Sequence, residues 1–110
     1  MALINSQRAS VSAGVEIAWT NASSGGDEVP CGGGRILLVR NGHSAAQTAT
    51  VSTPGTVRGI AIGEVAESIT ENGGVWVLPL TDEFRNSVGR ANITYSGVTA
   101  LQVAVIEPDR

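Results

Sequence analysis

One histidine, one cysteine and ten acidic residues are the whole stock from which this chain could build a catalytic or metal centre. His43 follows the turn pair Asn41-Gly42, and no partner stands at a spacing that would complete a metal set or a triad. It reads as a solvated turn residue. Cys31 precedes Gly32-Gly33-Gly34, and an activated thiol there would need a helix N-terminus or a cationic neighbour to lower its pKa. Gly32-Gly33-Gly34-Arg35 leads into a strand instead of opening a helix. It also lacks the Lys-Ser/Thr pair that grips phosphate and magnesium, so it is a flexible turn. Asp27-Glu28 and Asp82-Glu83 would offer calcium its oxygens only if the fold joined them; taken apart, they are a solvated loop pair and the acidic start of a helical turn. The expectation is a chain with no catalytic residue, no cofactor and no metal, and therefore not an enzyme.

Composition narrows the partners. The seven positive charges are all arginine, scattered along the chain, and the net charge is −3, so there is no basic footprint for a phosphate backbone. Nucleic acid is excluded as an expected partner. No apolar run approaches the roughly 20 residues of a membrane span, and the first residues lack the basic and apolar regions of a signal peptide. A soluble protein that is not exported by that route is expected. The lone cysteine forms no internal disulfide, and the triplets Asn21-Ala22-Ser23 and Asn92-Ile93-Thr94 match a glycosylation site with no secretion signal to use it.

The elements that must carry these residues are strands. Charged residues make up only 15% of the 110, Gly reaches 14, and Val, Ile and Thr are abundant, a balance that favours strands and turns over helices. Gly73-Gly74-Val75-Trp76-Val77-Leu78-Pro79-Leu80 is the densest apolar segment; both of its faces are apolar, so it is expected as a central strand buried on both sides. Val15, Ile17 and Trp19 alternate with Glu16 and Ala18 as a half-buried strand should. Trp19 and Trp76 are the expected core aromatics. Arg35 to Arg40 reads as a second central strand, with Asn41-Gly42 turning it into a hairpin whose return strand is Gln47 to Val51. Val57 to Ile62 is expected as a strand bent at Gly59. Val65 to Thr70, Arg90 to Tyr95 and Ala100 to Ile106 complete the set, and Thr81 caps one helical turn that ends near Asn86. Thr20 to Gly34 holds too many breakers for a regular element and is expected as a long loop. Together these predict an all-β, antiparallel β-sandwich or small barrel of about seven or eight strands with one short helical turn. Residues 1–13, small and polar, form an N-terminal arm, and residues 14–110 form the domain.

Four passages resemble the head decoration, or cement, proteins that tailed bacteriophages encode beside their major capsid protein. They are the start Met-Ala-Leu-Ile-Asn-Ser-Gln-Arg, the strand from Arg35 to Asn41 running into Gly42-His43-Ser44-Ala45-Ala46-Gln47-Thr48, the Gly73 to Pro79 segment leading to Phe84, and the ending Val103 to Glu107. The likeness is one of pattern over most of the chain. It implies a non-enzymatic virion structural protein, made in the host cytoplasm, that binds the capsid exterior and stabilises it. It also implies the major capsid protein as partner and a symmetric homo-oligomer, with a trimer favoured. On that implication residues 1–13 are the docking arm and the loop from Ser23 to Gly34 is the second contact. The candidate contact residues are Asn5, Gln7, Arg8, Asp27, Glu28 and Arg35. The alternatives are another phage head or tail accessory protein, or a carbohydrate-binding β-sandwich module whose sugar platform would draw on Trp19, Trp76 and Tyr95.

Overall fold

The computed structural model describes residues 2–54, 56–61 and 63–108. Met1, Gly55 and Ile62, which belong to the expected arm, turn and strand, lie outside the described residues, as do 109–110. In chain order the strands are β1 (Ala2–Leu3), β2 (Ser6–Ala9), β3 (Thr20–Asn21), β4 (Asp27–Pro30), β5 (Ile36–Asn41), β6 (Gln47–Val51), β7 (Thr56–Val57), β8 (Ile60–Ala61), β9 (Val65–Ile69), β10 (Gly74–Pro79), β11 (Arg90–Tyr95) and β12 (Leu101–Pro108). A 3₁₀ turn at Asp82–Phe84 is the single helical element among the described residues. One sheet runs β1-β4-β11-β6-β9 and the other β10-β5-β12-β2, with β3 also pairing with β12. The sandwich expected from the sequence is therefore present. Its ladders are antiparallel except at two places, β1 beside β4 and β2 beside β12, which are parallel.

Side chains that alternate inward build the core. Leu37 and Val39 of β5 and Leu101, Val103 and Val105 of β12 face Val29, Ala49, Val51, Ala91 and Ile93 of the opposite sheet, all essentially inaccessible to water. Burying a branched aliphatic side chain of this size contributes about 1.5–3 kcal/mol. Phe84, delivered by the 3₁₀ turn, and Leu80 close one end of the same cluster. No helix of the described residues is long and apolar enough to cross a membrane.

Several expectations are corrected. β10 is an edge strand: Trp76, Leu78 and Leu80 do face the core, but Val75 and Val77 on the other face are half exposed. The central strand is β5, flanked by β10 and β12. Asn41-Gly42 makes no hairpin, because β6 pairs with β9 and β11 in the opposite sheet. Residues 15–19 form no strand. Gln7 holds them instead: its side-chain amide donates to Ala18 O at 2.7 Å and accepts from Ala18 N–H at 2.8 Å, imitating a peptide group. Trp19 is in consequence partly exposed and outside the core, whereas Trp76 packs against it. Within Thr20 to Gly34 two short strands, β3 and β4, replace the expected loop, and β4 is anchored by the fully buried Val29. Val57 to Ala61 is a separate hairpin whose turn residues Arg58 and Gly59 have φ of 55° and 76°, the left-handed pair that a tight hairpin turn requires.

The segment expected as an arm is woven into both sheets. β1 lies on β4, β2 lies on β12, and Ile4 between them is buried in the core at 4% exposure. Ile4→Ala is expected to lower stability by about 2–5 kcal/mol, as for other buried aliphatic truncations. Urea unfolding checks it, and an unchanged midpoint would mean that this segment contributes nothing to the core.

Candidate functional site

The polar residues with chemical capacity fall into three places. At the end of the sandwich where β10 gives way to the 3₁₀ turn, Gly32, Gly34, Arg35, Pro79, Thr81 and Asp82 border an open groove of about 400 Å³. Cys31 is buried beneath it and donates its thiol hydrogen to Thr81 O at 3.0 Å. Burial pushes the Cys31 thiol up from its ordinary pKa, and the nearby Arg85 guanidinium only partly opposes this. The thiol is thus kept protonated, the opposite of an activated nucleophile. Arg85 pairs with Asp82 at 3.2 Å and reaches Cys31 O at 3.5 Å. A side chain at Gly32 would press on the end of the Arg85 side chain, which can swing aside, but Gly32 has φ of 84°, a conformation that favours glycine. Glu83 is held below the usual carboxylate range by the Thr81 hydroxyl, which donates to it.

The second place is the buried carboxylate of Asp27. Its Oδ2 accepts from Tyr95 O–H at 2.7 Å and from Ser23 N–H at 3.2 Å, while Oδ1 has no hydrogen-bond partner among the described residues. Burial first, and the Asp27 carboxylate second, push the Tyr95 phenol far above its ordinary pKa. The third is the set around Asn41, where His43 N–H donates to Asn41 Oδ1 at 3.0 Å and His43 O accepts from Asn72 N–H at 2.9 Å. Both contacts use the histidine's backbone. Among the described residues no three of His, Cys, Asp and Glu converge as a metal site would require, and Asp27-Glu28 is not joined to Asp82-Glu83 in such a group.

The sequence candidates for contact separate by burial. Asn5 and Arg8 are exposed. Gln7 is committed to Ala18 as described. Asp27 is only 1% exposed, so it cannot meet a partner surface, and the reason is that β4 turns it inward beside Val29. Glu28 is partly buried and lies 3.9 Å from Arg90. Arg35 pairs with Glu107 at 3.2 Å and donates to Gly32 O at 3.3 Å and to Ser6 Oγ at 3.5 Å, tying β2, β12 and the glycine loop together.

What the sequence reading did not anticipate is an apolar outer face. Register places Val77 beside Leu38, and Pro79 beside Ile36, on the face of the β10-β5 pair turned away from the core. Val75, Val77 and Ile36 are 50%, 53% and 37% exposed. The signal was available as apolarity on both faces of two strands, which burial and an outward apolar surface produce equally well. Comparison with protein-family models, curated proteins and solved structures finds no match to this chain.

The Tyr95–Asp27 contact generates a pH prediction. The folded state keeps the phenol protonated where the unfolded chain ionises, at about pH 10, so its contribution is whole below that pH and is lost as pH climbs above it. Melting of the wild type should fall more steeply above about pH 10 than melting of Tyr95→Phe. At neutral pH the variant, which leaves the buried Asp27 carboxylate with only its Ser23 N–H donor, should be less stable by about 1–3 kcal/mol. Since Tyr95 is the single tyrosine, its ionisation is also read directly by ultraviolet absorbance; a phenol that titrates freely in the folded protein contradicts the assignment.

Proposed function

We propose that this protein is a non-enzymatic structural component of a tailed-bacteriophage virion, made in the host cytoplasm, which binds the exterior of the capsid and stabilises it together with further copies of itself. The observation that carries the reading is how the chemically capable side chains are used. Cys31, Asp27, Tyr95 and Arg35 are tied into the fold, and the described surface instead offers exposed polar and apolar residues on a rigid β-scaffold. Such a surface suits binding. It fits the resemblance seen in the sequence, which carries the major capsid protein as partner and a trimer as the favoured assembly.

The contact region differs from the one expected at first. Residues 2–3 and 6–9 are strands, so the docking candidates are the exposed Asn5 and Arg8 with the adjoining connection from Ser10 to Val15, where Val11 is 91% exposed. Many copies of a modest contact hold a shell through multivalent engagement, so no single contact need be strong. A sugar-binding module draws some support from Trp19, which lies outside the core, although one partly exposed ring makes no platform.

The purified protein should co-sediment with capsids stripped of accessory proteins, and Arg8→Glu should reduce occupancy several-fold with melting unchanged. Absence of binding to capsids, with retention on a polysaccharide column, would replace this reading with the sugar-binding one.

A further inference from the structure

Glu67 stands in a row of β9 that the fold turns inward. It alternates with Val65 and Ile69, and the partners of that row across the ladder are Gln47, Ala49 and Val51, all buried, so the row faces the opposite sheet. Glu67 is nonetheless exposed, since β9 and β10 are the last strands of their sheets on that side. Trp76 of β10 lies opposite the buried Val39 and is partly buried against the core. The two residues line one groove of about 220 Å³, together with Ser68, Thr70 and Val75. Ion pairs among the described residues join Arg35 to Glu107, Arg85 to Asp82 and Arg90 to Glu28, and leave Glu67 without a cation. Arg40, opposite Val75 in the ladder, stands on the outer face of the sheet. In the larger groove at Gly32 and Gly34, by contrast, Arg35 and Asp82 are already paired. The backbone adds an acceptor. Thr48 O accepts from Ser96 N–H at 2.9 Å and Thr48 N–H donates to Ser96 Oγ at 2.8 Å, so Thr48 bonds away from β9. Ser68, its partner in the ladder, therefore leaves its own N–H and C=O at the free edge.

We propose that this groove binds an arginine side chain presented by a protein partner, with the guanidinium lying on the Trp76 ring and paired with the Glu67 carboxylate. A guanidinium is the cation that suits both residues: it is planar and weakly hydrated, and it stacks on an indole while its N–H fork engages a carboxylate. The compact, strongly hydrated ammonium of lysine does neither as well. Ser68 O is a further acceptor for the remaining N–H groups. Volume sets the size of the occupant. Small-molecule sites usually run to about 300–1,000 Å³, so a groove of about 220 Å³ takes one side chain and not an oligosaccharide. Charge agrees, because the chain carries a net −3 and the exposed Glu64 and Glu71 beside the two ends of β9 have the same sign as Glu67. An inward charge on an edge strand also deters pairing, so the partner enters by a side chain and not by adding a strand. The site stands apart from the virion reading, since its chemistry is the same whatever assembly the protein serves.

The two tryptophans give two indole N–H signals in an NMR spectrum, and Trp19→Phe identifies the one that belongs to Trp76. Titration with the blocked tripeptide Gly-Arg-Gly should shift the Trp76 signal saturably, with a Kd of about 1 mM, and leave the Trp19 signal in place. The matching lysine and citrulline peptides should bind at least about fivefold more weakly. Glu67→Gln should weaken the arginine peptide about tenfold with melting unchanged. Glu16→Gln removes an equal charge beside Ala18, which is held to β2 at the far end of the sheet from β10, and should leave binding as it was. The peptide series on the wild-type protein decides the matter even where Glu67→Gln fails to fold. The proposal is overturned by a Trp76 signal that does not move, by equal response to the three peptides, or by equal loss in Glu67→Gln and Glu16→Gln. A Trp76 shift produced by maltotriose and not by the arginine peptide overturns it too, and gives the groove to a sugar.

Discussion

A single buried amide governs how the chain passes between its two sheets. Asn41 ends β5, is fully buried, and uses every polar atom of its side chain: Nδ2 donates to Ala45 O and to Ile69 O, each at 3.0 Å, while Oδ1 accepts from His43 N–H at 3.0 Å and from Gln47 Nε2 at 2.9 Å. Its backbone O takes Gly73 N–H at 2.7 Å. The crossing from β5 to β6 and the return from β9 to β10 are therefore fastened to one residue. A buried polar group left unpaired costs about 1–3 kcal/mol, and here one side chain satisfies groups on three segments. No apolar residue of the same size could hold both crossings.

That fastening gives the sandwich two unlike sides. On one, the chain passes from β1 in the first sheet to β2 in the second with Ile4 plugged between them. On the other, β9 and β10 end their respective sheets and are joined by the turn that Asn41 anchors, where Asn72 and Gly73 take φ of 62° and 102°. A side chain at Gly74 would collide with Thr70 O, so the two strands approach at their shared end, and the space between them opens as they run apart. Sealing of one side and openness of the other follow from the same topology.

Strand identity was legible in the sequence wherever alternation and burial agree, as in Gln47–Val51, Arg90–Tyr95 and Leu101 onward. It failed where a side chain replaced a backbone partner. Val15 to Trp19 has flawless alternation, yet Gln7 takes both backbone groups of Ala18, and no local pattern announces a glutamine acting from a distance. Asn41-Gly42 carries the composition of a hairpin turn, and its asparagine was instead drawn into the core. Apolarity on both faces of β10 was read as double burial because composition does not distinguish a covered face from an uncovered one. The site was less legible than the fold for a related reason: Asp27 lies in a run of glycine and acid that looks solvated, and its hydrogen-bond partner Tyr95 is a distant residue on another strand.

The parallel seam between β2 and β12 has a consequence for the order in which the fold is made. Ser6 lies beside Val105 and Gln7 beside Ile106, so strands from opposite ends of the described chain share a ladder. Loop closure over such a span must precede any gain from the contact, and topologies rich in distant pairings fold in about milliseconds to seconds, far slower than helical bundles. During synthesis β2 waits, unpaired, until β12 has left the ribosome. Among the described strands, β12 is the one that lets β2 be placed.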